Sequence, residues 1–452
     1  MSNICPAPPG NPGRRFFGKF FRFFQNQLHI FSKYGTIIQY HYLPANVYSK
    51  EVDPMGQNNT WIKPRHRVIT TLLRPFLKLY SQLRYGVEFV PFREEGARPY
   101  LIVMNHQTGF DQFFVGATFR QPVYYLATED IFSLGWVSNL IRWLVAPIPI
   151  QKQTTDIQAV KNCIRVAREG GSICLAPEGN RTFHGQTVYM NPSIASLAKK
   201  LQLPIAFFRI EGGYGVQPRW SDVVRRGKMR CRISRVIEPE EYADLSRDAL
   251  YRLIEAELAQ DENCVSGHFR HKKNAEFLER AMYVCPWCGL STFESHGDII
   301  RCTKCGRKIR HLSTKELQGV GCDFPHRFVA DWYHWQNDFI NSADLTALTE
   351  EPVYRETVRL SRVHACKFKE LLKVEATVCL YGDRITIDDR EFPFSQVGAV
   401  VVLGKNKVNI YNGKEILQLK GTQRFNALKY VNFFHRYKNA TTGDQNGKFL
   451  GI

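Results

Sequence analysis

The apolar run Tyr100-Leu101-Ile102-Val103-Met104 passes directly into the polar segment Asn105-His106-Gln107-Thr108-Gly109-Phe110-Asp111. The run reads as a buried strand that ends in a turn. His106 and Asp111 are five positions apart, and on a continuous helix such residues do not share a face. The two can meet only if the chain bends at Gln107-Thr108-Gly109, where glycine supplies freedom. A neutral imidazole takes a proton from a hydroxyl near neutral pH. A carboxylate on its other nitrogen fixes the tautomer and stabilises the imidazolium that forms. Alone, a histidine near an aspartate is more often a surface or satisfied polar pair than a catalyst.

A second strand-and-turn segment changes that balance. Ser172-Ile173-Cys174-Leu175 runs into Ala176-Pro177-Glu178-Gly179-Asn180-Arg181-Thr182. It offers an acid, a glycine that lets backbone approach a ligand, and an arginine, whose planar fork suits phosphate. A third apolar strand, Leu203-Pro204-Ile205-Ala206-Phe207-Phe208, opens at a proline.

In order and spacing these blocks resemble the 1-acylglycerol-3-phosphate acyltransferase family of glycerolipid acyltransferases. Asn105, His106 and Asp111 match its Asn-His-x4-Asp motif. Pro177, Glu178, Gly179 and Arg181 match its Pro-Glu-Gly-x-Arg motif, and Pro204 its fourth. The family's second motif ends in an Ile-x-Arg-like sequence; here Pro147-Ile148-Pro149-Ile150-Gln151-Lys152 has no arginine, so Lys152 would supply the charge. The match runs from about Arg67 to Gln260. The resemblance implies an α/β core that transfers an acyl group from acyl-CoA, or an acyl carrier, to the free hydroxyl of 1-acylglycerol-3-phosphate, making phosphatidic acid. His106 would be the general base and Asp111 its orienting partner. Asn105, Lys152, Glu178, Gly179 and Arg181 would bind substrate. The chain has no Gly-x-Ser-x-Gly elbow, which weighs against a serine hydrolase.

The 452 residues allow two to four domains, and 44% hydrophobic content fits a globular chain. A formal net charge of +19 implies an anionic partner, either nucleic acid or a membrane face. The resemblance selects the membrane. No Asp or Glu precedes Glu51, while Arg14, Arg15, Lys19, Arg22 and Lys33 lie among Phe16, Phe17, Phe20, Phe21, Phe23 and Phe24. That stretch suits a bilayer interface; the alternative is a helix whose Phe face packs on the protein. A second basic cluster, Arg219, Arg225, Arg226, Lys228, Arg230, Arg232 and Arg235, could meet headgroups or coenzyme A phosphates, or form a solvated strand edge. Ile131 to Ile150 is close to membrane length, but Arg142, Pro147 and Pro149 interrupt it. The resemblance implies a buried helix leading to a strand here, and no membrane span is expected. The expected location is the cytoplasmic face of a membrane, held peripherally.

Cys285-Pro-Trp-Cys288-Gly and Cys302-Thr-Lys-Cys305-Gly take four of the 12 cysteines into paired Cys-x2-Cys knuckles. That spacing signals structural zinc in a closed tetrahedral site. Disulfides are disfavoured in the reducing compartment where coenzyme A substrates are used. Upstream, Thr70 to Tyr85 reads as an amphipathic helix started or kinked at Pro75, Asp156 to Glu169 as a helix, and Pro239 to Gln260 as another. Phe324 to Phe339 is expected to be a helix between the ribbon and the last module. From about Thr357, short alternating strands (357–365, 372–380, 384–387, 397–403, 407–411 and 415–419) precede a helix over 424–438. Antiparallel strands closed by a helix resemble a pleckstrin-homology-like fold, a likeness of topology that does not give function. The expected domains are a membrane-associating region and connector (1–65), the acyltransferase (66–262), the zinc ribbon (281–312), a connector (313–352) and the PH-like module (353–440).

Other readings remain open. The acceptor is another lysophospholipid or an amine-bearing molecule, or the chain is a zinc-ribbon nucleic-acid-binding protein, or a scaffold with a decayed site. The ribbon carries few stacking aromatics beyond Trp287 and Phe293, so nucleic acid is not the expected partner.

Overall fold

The computed structural model describes residues 60–442 apart from 129–130, 134–135, 151–155 and 365–367. The basic, Phe-rich N-terminal stretch and Lys152 lie outside the described residues.

Short apolar runs separated by helices build the first sheet. Its strands are β1 (Val87–Phe89), β2 (Leu101–Met104), β3 (Val123–Thr128), β4 (Ile148–Ile150), β5 (Ser172–Leu175), β6 (Ile205–Glu211) and β7 (Met229–Ile237). They lie in the order β1-β7-β6-β2-β5-β3-β4. Central β2 pairs in parallel with β5 and β6, so all of its residues are buried. β7 runs antiparallel to β6 and parallel to β1. This is the α/β core the apolar runs imply. Because β2 and β5 are parallel neighbours, the turns after Met104 and Leu175 emerge at the same edge of the sheet, where open α/β sheets place their ligands.

The helices depart from the sequence reading in three places. The first spans Pro64–Tyr85 and starts at Pro64 rather than Pro75, since a proline at the first helical position has no N–H to lose. Gly86 closes it at φ +66°, and a Cβ there would lie 2.2 Å from the Gly227 carbonyl, so the position demands glycine. The second departure is the Trp136–Val145 helix. It leads to β4 as expected, but it is not buried: Trp136, Leu140 and Trp143 point outward, and Ser138 holds its inner face by donating to Ile131 O at 2.7 Å. Among the described residues no helix is long and apolar enough to cross a membrane. Third, 239–260 is two helices, Pro239–Ala243 and Arg247–Leu258. The second is capped by Ser246 Oγ, which accepts from Ala249 N at 3.1 Å.

Beyond the first sheet, β8 (Val284–Cys285) and β9 (Gly289–Leu290) frame the first cysteine knuckle. A four-stranded antiparallel sheet follows: β10 (Phe293–His296), β11 (Ile299–Cys302), β12 (Lys308–His311) and β13 (Leu317–Val320). The sheet therefore extends past residue 312. The Val329–Asn341 helix packs Trp332 and Tyr333 inward, with Trp332 Nε1 donating to Val284 O at 2.9 Å. The last sheet contains β14 (Tyr354–His364), β15 (Phe368–Leu380), β16 (Arg384–Ile387), β17 (Arg390–Pro393), β18 (Ala399–Leu403), β19 (Lys407–Asn412) and β20 (Glu415–Lys420). All its pairings are antiparallel, in the order β17-β16-β15-β14-β20-β19-β18, and the Leu428–Thr442 helix closes it. One hydrophobic cluster runs from Leu278 through Trp332 to Phe434, so ribbon and C-terminal sheet share a core.

Candidate active site

The turn after β2 folds around one carboxylate. Asp111 is fully buried at the start of the Asp111–Thr118 helix. Its Oδ2 accepts from Gln107 N at 2.7 Å, and its Oδ1 from Thr108 N at 2.9 Å and Thr108 Oγ1 at 2.6 Å. Oδ2 also meets His106 Nδ1 at 2.8 Å. Every donor around it points at this one carboxyl group, which fixes its orientation. With Asp111 accepting a hydrogen bond from Nδ1–H, Nε2 keeps its lone pair on a ring whose side chain is 25% exposed. Burial holds the His106 pKa below its ordinary value; Asp111 opposes that effect, and the charges of Arg181 and Arg219 add to it. The ring is therefore neutral at pH 7 and competent as a base.

The chain bends at Gln107-Thr108-Gly109 as expected, without Gly109 entering the left-handed region. The four donors gathered on Asp111 hold the turn instead. A side chain at Gly109 would point at Arg181 Nη1 and Gln217 Oε1, each 3.8 Å from an ideal Cβ. Glycine here leaves room beside the arginine.

The turn after β5 divides its residues between support and recognition. Glu178 is buried, with Oε1 accepting from His106 N at 2.9 Å and Oε2 from Val188 N at 3.3 Å. Burial pushes its carboxyl up to about 8. Glu178 thus ties the two motif turns together through backbone. Asn105 also bonds within the protein. Its Nδ2 donates to Ile210 O at 2.9 Å and Gln260 Oε1 at 3.1 Å, and its Oδ1 accepts from Ile210 N at 2.8 Å. An amide so fully used locks the end of β2 to β6. Gly179 adopts φ +66° on the exposed face of its turn.

Arg181 is different. Its Nη1 is buried and has no hydrogen-bond partner among the described residues. Arg219, 1% exposed, lies alongside: its Nη1 donates to Arg181 O at 2.8 Å, and its guanidinium stacks over Phe183 at 4.2 Å. Burial, and then the charge of Arg181, pushes the Arg219 pKa down. Among the described residues no carboxylate pairs with either arginine. A half-buried guanidinium with an unpartnered Nη1, backed by a second, buried one, makes a site that favours an incoming anion.

The basic cluster of which Arg219 is part does not act as one surface. Arg225 is buried, donating to Asn274 O at 2.6 Å, while Arg232 and Arg235 pair with Glu211 and Glu257 at 2.9 and 3.1 Å.

The four knuckle thiols also converge. The sulfurs of Cys285, Cys288, Cys302 and Cys305 all lie within 4.8 Å of one another, with Cys285–Cys305 at 3.7 Å and Cys288–Cys302 at 3.6 Å. A tetrahedron of thiolates ~2.3 Å from zinc has edges of ~3.8 Å, so the cluster fits a metal ion.

With this geometry in hand, comparison with known proteins is informative. Residues 85–210 match the model of the Acyltransferase family. Over 167 residues the chain is 23% identical to the chloroplastic 1-acyl-sn-glycerol-3-phosphate acyltransferase BAT2 of Brassica napus, covering 36% of this chain and 46% of that protein. Over 183 residues it is 21% identical to the 1-acyl-sn-glycerol-3-phosphate acyltransferase of Bacillus subtilis, covering 40% of this chain and 88% of that one. The chain spans about half the length of the plant relatives it matches. A solved structure, the 1-acyl-sn-glycerophosphate acyltransferase PlsC from Thermotoga maritima, aligns with 19% identity and a TM-score of 0.37 over 42% of this chain and 77% of that one.

Proposed function

We propose that the domain at residues 85–210, whose sequence fits the Acyltransferase family, moves a fatty acyl group from acyl-CoA to the free hydroxyl of 1-acylglycerol-3-phosphate, giving phosphatidic acid. The observation that carries this reading is a neutral, partly exposed imidazole held by a buried carboxylate at 2.8 Å, beside an arginine whose Nη1 has no partner. His106 Nε2 takes the proton of the acceptor hydroxyl as its oxygen attacks the thioester carbonyl. The carbon–sulfur bond breaks, and the imidazolium returns the proton to the departing thiolate. Asp111 keeps the tautomer and balances the transient charge. Arg181, held in place by Arg219, grips the phosphate and so places the hydroxyl, itself a large catalytic term.

The proposed substrates are lipids and the proposed location is peripheral, on the cytoplasmic face of a membrane; the surface supports contact with a bilayer. Val68, Leu72, Phe76, Leu79 and Leu83 form one exposed apolar stripe on the Pro64–Tyr85 helix, opposite the side that buries His66, Ser81 and Tyr85. The exposed Trp136 and Trp143 lie on the neighbouring helix, and Arg65 Nε donates to Trp143 O at 3.1 Å. An exposed apolar stripe with tryptophans on the neighbouring helix suits a bilayer interface. In the same proposal Cys285, Cys288, Cys302 and Cys305 hold one structural zinc that closes the ribbon.

The test is incubation of the purified chain with labelled acyl-CoA and lysolipids that differ only in headgroup. Transfer fastest to the phosphomonoester acceptor is expected. Equal or faster transfer to choline or amine-bearing acceptors would reassign the substrate.

A further inference from the structure

The C-terminal sheet reaches the arginine pair at one turn. Gly404-Lys405-Asn406, between β18 and β19, lies against the segment that carries Arg219. The Gly404 carbonyl accepts from Arg219 Nε at 2.9 Å. Lys405 Nζ donates to Ser221 O at 2.5 Å and pairs with Asp222 Oδ1 at 2.8 Å. Asp222 also receives Arg280 through both oxygens, at 2.8 and 3.0 Å. Asn406 Nδ2 donates to Thr422 O at 2.9 Å and fixes the turn on its own sheet. From the turn the bonds continue inward: Arg219 donates to Arg181 O at 2.8 Å and to Asn180 Oδ1 at 3.4 Å.

We propose that this turn positions the acceptor site, so that the C-terminal module is a working part of the enzyme and not an appendage. Lys405 pins the turn, the Gly404 carbonyl sets the Arg219 fork, and Arg219 sets the backbone that carries Arg181. The proposal rests on the acyl-transfer reading of the same site. It predicts a specific signature. His106 and Asp111 are held by their own local turn, so loosening residues 404–406 leaves the base intact and disturbs only the grip on the anion. Displacing a positioning group by ~1 Å is enough to weaken catalysis severely.

The experiment compares unaltered full-length protein with Lys405→Gln and Lys405→Arg, titrating 1-acylglycerol-3-phosphate and acyl-CoA separately. Lys405→Gln is expected to raise the acceptor KM about ten-fold while the donor KM and kcat move less than about two-fold. Lys405→Arg keeps a cation on Asp222 and is expected to restore most of the loss. An unchanged acceptor KM in Lys405→Gln, or an equal rise in both KM values, would overturn the proposal. Should Lys405→Gln fail to fold, Asn406→Ala reads the same turn with the same two outcomes. If the unaltered chain transfers no acyl group, the catalytic reading fails on its own. The turn is then judged by titrating inorganic phosphate: weaker binding to Lys405→Gln supports it, and equal binding, or none to either chain, contradicts it.

Discussion

The two sides of the site are built on opposite principles. On the histidine side every charge is answered: Asp111 collects two backbone amides, a hydroxyl and an imidazole, and Glu178 holds the His106 backbone. On the arginine side charge is left over, because Arg181 Nη1 has no partner and Arg219 rests on backbone carbonyls, an amide oxygen and a phenyl ring. A closed network fixes geometry before the substrate arrives. An open one costs free energy until an anion fills it. In the proposed function the first side moves the proton and the second recognises the anion.

The comparison can be broken at several depths. The deepest break is removal of the metal proposed for the four-thiol cluster. Chelation, or Cys302→Ser, is expected to lower Tm by on the order of 10 °C, because ribbon and C-terminal sheet share one core. Calorimetry with and without chelator reads this, and an unchanged Tm would remove the structural role of the metal. Next is Asp111→Asn. It frees the wrong tautomer, and kcat is expected to fall by ~10² or more with little change in acceptor KM. Steady-state kinetics would expose a mere supporting role if KM rose and kcat held. Arg181→Lys replaces a fork with a point charge and is expected to raise the acceptor KM ~10-fold, leaving acyl-CoA unaffected. A matched rise for both substrates would make Arg181 structural. The smallest effect lies outside the site. Leu72→Asp with Leu79→Asp is expected to reduce sedimentation with anionic vesicles several-fold while solution turnover persists; undiminished sedimentation would mean that this stripe does not meet the bilayer.

Sequence exposed the histidine side better than the arginine side, for a physical reason. His106, Asp111 and Glu178 act within short turns that follow apolar strands, so spacing and strand pattern bring them together. The thiol cluster was legible for the same reason, since each knuckle is local. Arg219 was only one of seven basic residues in a run, because its role depends on a carbonyl 185 residues downstream. No periodicity reports such a contact. Asn105 and Glu178 sit in motif positions, yet their side chains are consumed by backbone partners, which a motif alone cannot distinguish from substrate contact. The Trp136–Val145 helix misled for another reason. An amphipathic stripe has the same spacing whether it faces a core or a membrane. Only the packing, with Ser138 inward and both tryptophans outward, decides.

The proton-transfer claim is tested most directly by single-turnover transfer of labelled acyl groups to 1-acylglycerol-3-phosphate, across pH, by the unaltered chain and by His106→Ala. The neutral ring is the active form and its pKa is held down, so the rate should fall only as pH drops below the ordinary histidine value of ~6.5. His106→Ala should lose ~10²-fold or more at every pH above that limb and keep the Tm of the unaltered chain. Transfer by His106→Ala at close to the unaltered rate, or the same acid limb in both proteins, would contradict it.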